Sequence, residues 1–128
     1  MFDDDDPVLR RVRELALGLP DAAEKVSHGR PAFFTKKVFA YYGASVRVDG
    51  EWVQHPTALV VLPDPDDQQA LLEDPRVFVP AYLGAYGWIG VDLDDRTDWD
   101  EVIELLDASY RLTAPKRSIA ALDARAEG

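Results

Sequence analysis

A chain of 128 residues suits one domain and would cramp two. Its composition, 47% hydrophobic with three Trp, five Tyr, five Phe and no Cys, excludes general disorder, disulfides, cysteine-ligated zinc, iron–sulfur clusters and thiol nucleophiles. The formal charge of −10, from 24 acidic and 14 basic side chains, repels nucleic acid and anionic lipid when taken as a whole.

The opening Met1-Phe2-Asp3-Asp4-Asp5-Asp6 has neither the basic nor the apolar stretch of a secretory signal. Residues 1–6 therefore read as a flexible acidic tail, residues 7–128 as a single domain, and the protein as cytoplasmic. A first helix is predicted from Pro7 to Gly18, with Asp6 as N-cap, proline at the first helical position, and Gly18 and Pro20 to stop it. Val8, Leu9, Val12, Leu15 and Ala16 make its apolar stripe, and Arg10, Arg11 and Arg13 lie off that stripe on a solvated face.

From Ala23 to Leu62 the apolar period changes to two, which predicts antiparallel strands. Pro31–Thr35 and Val38–Tyr42 flank a turn at Lys36-Lys37, Val46–Val48 and Trp52–Val53 flank the two-residue hairpin turn Asp49-Gly50, and Thr57–Leu62 is a further strand. Alternation puts Phe33 and Phe34 on opposite faces, one in the core and the other more exposed. A helix follows from Pro65 to Glu73, capped by Asp64. After Asp74-Pro75, a connection from Phe78 to Gly87 leads into a strand at Trp88–Leu93. Asp98 and Glu101 form a capping box for a helix that reaches Thr113, and Pro115 opens a final short helix with Ile119 and Leu122 as its apolar residues. This order of elements predicts an α+β two-layer sandwich, an antiparallel sheet with helices packed on it. The longest apolar runs, such as Ala58–Leu62, fall far short of the roughly 20 residues of a membrane-spanning helix.

Little in the sequence carries catalytic chemistry. Asp92–Glu101 is dense in oxygen ligands, but a calcium loop starting at Asp92 would need glycine where Thr97 stands and a bidentate glutamate where Ile103 stands. No metal and no cofactor are expected. The glycines from Gly84 to Gly90 precede a strand instead of opening a helix, so they cannot aim helix amides at a phosphate. His28 and His55 are the only histidines, and Ser27 beside His28 in sequence does not make a nucleophile and base. No catalytic residue is assigned, and a non-enzymatic protein is the expectation.

The charge is segregated along the chain. Residues 8–48 hold eight basic and three acidic side chains, whereas residues 49–107 hold two and fifteen. Lys36-Lys37 at one hairpin tip and Arg47 on the next interleave with Phe33, Phe34, Phe39, Tyr41 and Tyr42, which is the mixture of cations and aromatic faces that nucleic acid requires. Hairpin lysines also blunt sheet edges and keep turns soluble, so composition alone does not decide.

Several stretches together resemble the MmcQ/YjbR family: Leu15–Pro20, Glu24–Phe34, Lys37–Ala40, Val79–Gly84, Gly87–Val91, Trp99–Val102 and Ser109–Arg117. The resemblance runs in the family's order over about residues 8–123. It implies a CyaY-like fold, a bacterial source, and DNA binding through a double wing, meaning two projecting hairpins. The wings map onto the hairpins at Lys36-Lys37 and Asp49-Gly50, the second of which carries Asp49 and Glu51 at its tip.

Three arrangements would separate the possible functions. A DNA-binding module calls for a continuous positive strip of Arg30, Lys36, Lys37, Arg47, Lys116 and Arg117, with weak and salt-sensitive affinity. A module that binds a protein or small molecule calls for an aromatic pocket built from His28, Tyr82, Tyr86 and Trp88. An enzyme calls for His28 in a cleft, hydrogen-bonded to a carboxylate.

Overall fold

The computed structural model describes residues 2–127. Helix α1 (Pro7–Leu17) starts where expected, with the Asp6 carboxylate accepting from the Val8 N–H at 2.9 Å. It buries Leu9, Val12 and Ala16. The acids before it also reach inward. The Tyr42 hydroxyl donates to Asp6 Oδ2 at 2.7 Å, and Arg13 bridges Asp4 and Glu24. Burial, then the Asp6 carboxylate, pushes the Tyr42 phenol well above its ordinary range.

Four antiparallel strands follow: β1 (Ala23–Ser27), β2 (Arg30–Phe34), β3 (Val38–Val48) and β4 (Glu51–Val61). The expected break between Tyr42 and Val46 does not occur. Instead β3 runs through 11 residues and β4 through another 11. The interruption in apolar alternation is a bulge: Tyr42 pairs with Leu59 but Ala44 with His55, so two steps on β3 oppose four on β4 around Gly43 and Pro56.

Helix α2 (Pro65–Leu72) leads to β5 (Val77–Phe78), which the sequence reading left within a connection because two residues show no period. A 3-10 turn at Leu83–Tyr86 precedes β6 (Ile89–Asp92), and the chain ends in α3 (Trp99–Thr113) and α4 (Lys116–Glu127). The sheet order is β1-β2-β3-β4-β6-β5, and every recorded pairing is antiparallel.

One face of the sheet meets the helices. Phe33, Phe39, Ala40, Tyr42, Leu59, Val61 and Ile89 pack there against α1 and α3, with Phe39 edge-on to the buried Tyr110 at 5.4 Å. Ser109, fully buried, fastens α3 to the sheet: its hydroxyl donates to the Phe39 carbonyl and accepts from the Leu62 N–H. The opposite face is shorter. Ala44, Ala58 and Val60 lie there under Tyr41, Phe78, Leu83 and Trp88, and the Phe78 ring occupies the space that a side chain at residue 90 would need. As alternation required, Phe33 is in the core and Phe34 is half-exposed, under the Lys25 ammonium at 4.9 Å.

Asp98 caps α3 by accepting from the Asp100 N–H, but the capping box does not form, because Glu101 turns away to Arg76. Arg76 is held between Asp74 at 2.7 Å and Glu101 at 3.1 Å and so ties the turn after α2 to the start of α3. The Arg76 side chain, and next its backbone N–H, lower the Asp74 carboxyl from 3.8 to about 2.

Two predictions follow from these contacts. Ser109→Ala leaves the Leu62 N–H without its partner and should lower stability by about 1–3 kcal/mol, read from the urea midpoint at constant slope. For Asp74, a native pKa below the unfolded value means stability that is present above about pH 3.8 and lost as pH falls through about 2. Asp74→Asn should therefore be less stable than the parent at neutral pH, with the gap closing across that acid window in urea titrations at stepped pH.

Candidate functional site

Strand reversal decides which loops meet. The β1–β2 turn at His28-Gly29 and the β3–β4 turn at Asp49-Gly50 leave the sheet at one end, while the β2–β3 turn at Lys36-Lys37 lies at the other. Both turns of the first end have positive φ at their two central residues, 52° and 78° at His28-Gly29 and 50° and 82° at Asp49-Gly50. That is the type I′ geometry that tight hairpins favour. Lys36 and Lys37 are separated from Asp49-Gly50 by the length of β3, roughly 30 Å, and from His28-Gly29 by that of β2, roughly 15 Å, at about 3.3 Å per residue.

The expected positive strip is thus divided. Arg30 and Arg47 belong to the hairpin end. Lys36, Lys37, Lys116 and Arg117 belong to the opposite end, where Ser118 holds Asp21 just ahead of β1. All four of these cations are exposed. The two hairpins expected as wings, at Lys36-Lys37 and Asp49-Gly50, thus leave opposite ends of the sheet, and the turn that shares an end with Asp49-Gly50 is the one at His28-Gly29.

Arg30 is the built element of the hairpin end. Its side chain lies across the sheet at the bulge, with Nη2 donating to Gln54 Oε1 at 2.9 Å. Nη1 passes so close to Gly43 that a Cβ there would sit 2.9 Å away. Gly43 also has φ +91°, a conformation only glycine adopts readily, so one residue serves both the bulge and the seat of the guanidinium. Burial pushes the Arg30 guanidinium down from its ordinary value. No carboxylate pairs with it among the described residues, whereas Arg13, Arg76 and Arg111 are each held by two.

Two cavities meet at this arginine. One of about 390 Å³ is bordered by Phe2, Tyr42, Gln54 and Pro56, and the other, of about 520 Å³, by Tyr41, Ser45, Val60, Tyr82 and Leu83. His28, Arg30 and Gly43 border both. Among the described residues, no aspartate or glutamate lines either, in a chain that carries 24 of them.

Aromatic side chains form the rim. Arg47 lies over the Trp52 ring at 5.4 Å, and Trp52 stacks on Tyr82 at 6.2 Å. Tyr82 is 81% exposed and has φ +64°, a strained backbone for a bulky residue. The Ala81 N–H bonds to the Ser45 carbonyl and anchors this segment to the free edge of β3. The pocket expected from His28, Tyr82, Tyr86 and Trp88 is assembled only in part. His28 and Tyr82 line the larger cavity, Trp88 is half-buried behind it against Tyr41, and Tyr86 borders neither cavity.

His28 stands at the cavities, yet its ring makes no hydrogen bond to a carboxylate among the described residues. The histidine with such a partner is His55, whose Nδ1 is 2.8 Å from Asp92 Oδ1 and whose ring stacks on Phe78 at 4.0 Å. The sequence reading missed this pair because its members are 37 residues apart and meet only across β4 and β6. Among the described residues no three metal-ligating side chains gather, and no helix is long and apolar enough to cross a membrane.

The YjbR family model matches residues 17–112, which include the strands, both hairpin turns, Arg30 and Gly43. The chain belongs to the YjbR family. No curated protein matches it. A crystal structure of the Deinococcus radiodurans protein DR2400, described as a DUF419 domain, has the same fold at a TM-score of 0.61 and 22% identity, over 84% of this chain and 79% of that one. The matched region of this YjbR protein contains most of the hairpin end, whereas Lys116 and Arg117 lie beyond it.

Seating Arg30 on Gly43 has a measurable cost. Gly43→Ala should lower stability by at least about 1 kcal/mol, from positive φ and from displacement of the guanidinium. In an Arg30→Ala background the same substitution should cost less, because the steric part is gone, and a double-mutant cycle in urea reads the difference.

Proposed function

We propose that this YjbR protein is a non-enzymatic DNA-binding protein of the bacterial cytoplasm that works through the hairpin end of its sheet. The observation that carries this reading is the pairing of two hairpin turns at one end with Arg30 and Arg47, neither of which has a carboxylate partner among the described residues, beside the exposed Trp52 and Tyr82. Arginines supply phosphate contacts and exposed rings supply stacking faces. Asp49 and Glu51 at the tip, and the charge of −10, oppose a polyanion. Binding is therefore weak, salt-sensitive and better for a single strand, which can bring bases to the rings, than for a stiff duplex.

A second reading has an observation of its own. The 520 Å³ groove is the size of a small-ligand pocket and is walled by Tyr41, Tyr82 and Leu83, which suits a small molecule or a protein side chain.

Binding of single-stranded and duplex DNA across a salt series tests the first reading. Arg30→Ala with Arg47→Ala should lower the slope of log affinity against log salt by up to about 2, roughly one per lost phosphate contact. Lys36→Ala with Lys37→Ala should leave that slope unchanged. Loss confined to the lysine variant would move the DNA site to the opposite end of the sheet. No binding at low salt, where attraction is least screened, would leave a protein or small molecule as the partner.

A further inference from the structure

We infer that the groove beside Arg30 is a seat for one nucleotide unit, with its phosphate on the Arg30 guanidinium and its planar base against Tyr82. This inference rests on the DNA reading of the hairpin end and deepens it by naming what the groove itself holds. The same chemistry could be presented by a free nucleotide or by a residue of a single strand.

The phosphate half of the seat is prepared before any ligand arrives. Gly43 leaves room for the guanidinium, and Gln54 holds Nη2 at 2.9 Å, so part of the side chain's rotamer freedom is already spent. The group is partly withdrawn from water, and among the described residues no carboxylate neutralises it and none lines the two cavities beside it. A partly desolvated, uncompensated guanidinium favours an oxyanion, and its planar fork suits two oxygens at once. His28 borders the same two cavities.

The base half follows from Tyr82. This residue borders the 520 Å³ cavity together with Arg30, is 81% exposed, and sits in a γ-turn closed by the Leu83 N–H on the Ala81 carbonyl. Its contact with Trp52 at 6.2 Å is at the long end of aromatic pairing. A ring this exposed, carried on an anchored backbone, offers a face to a second planar group. A phosphate ester joined to a planar ring matches both halves, and an aliphatic carboxylate matches only the first.

Titration of the full chain with thymidine 5′-monophosphate, thymidine, inorganic phosphate and a ten-residue oligothymidylate tests this, read on the three tryptophan indole N–H signals by NMR. Thymidine monophosphate should bind saturably, roughly tenfold or more tighter than thymidine, and should move the Trp52 indole. Inorganic phosphate should bind without moving it. Arg30→Gln should weaken the monophosphate by roughly tenfold or more, and the surface variant Tyr82→Ala should reduce its affinity to that of inorganic phosphate. Equal affinities for monophosphate and thymidine, or affinities unchanged in both variants, would overturn the seat. Oligothymidylate binding that ignores both variants would overturn the seat while leaving DNA binding intact. Monophosphate binding without oligothymidylate binding would support the seat with a free nucleotide as its ligand, and would overturn the DNA reading.

Discussion

Gly43 is the constraint on which the hairpin end of this molecule depends. With φ at +91° it bends β3 where β4 bulges with its extra residues, and the bulge divides an 11-residue strand into a half that belongs to the core and a half that projects. On the near side Ala40 and Tyr42 face the helices. Beyond the bulge Ala44 faces the other way, joins Ala58 and Val60, and the rest of the hairpin leaves the sheet exposed. The absent side chain at Gly43 then admits Arg30 from β2. Backbone geometry, topology and electrostatics therefore converge on one residue, and neither the projecting hairpin nor the seated arginine survives a Cβ there without rearrangement.

The acidity of the chain looks hostile to any anionic partner until the acids are placed. Asp6, Asp64 and Asp98 cap helices, and Asp74, Glu101, Asp107 and Asp123 neutralise Arg76 and Arg111. Much of the acidic run from residue 49 to residue 107 thus serves local structure around α2 and α3. Asp49 and Glu51 stand at the tip of the hairpin and border neither cavity. Over a Debye length of about 8 Å in physiological salt, the field at Arg30 is set by its neighbours more than by the net charge.

Local features were the ones legible in the sequence. Proline and aspartate marked the starts of α1 and α2, Asp49-Gly50 marked its hairpin, and alternation separated Phe33 from Phe34. What escaped depended on distant partners or on counting strands. Reading a bulge as a break split β3, and which hairpins share an end follows only from the full strand count, since each turn reverses the chain and alternate turns share an end. Glu101 had the right spacing for a capping box, but spacing does not register Arg76, which is 25 residues away in sequence and offers a charged partner. The isolation of Arg30 from carboxylates is likewise a property of the fold and not of the segment that carries it.

The central claim is that the partner meets the end of the sheet where His28-Gly29 and Asp49-Gly50 emerge. Mapping amide chemical-shift changes along the backbone on adding single-stranded DNA tests this most directly, because it reports location without altering any residue. The account predicts changes at residues 28–30, at Gly43, and around Arg47, Trp52 and Tyr82, with Lys36, Lys37, Lys116 and Arg117 unmoved. Changes concentrated at those last four residues, or no changes at all at low salt, would contradict it.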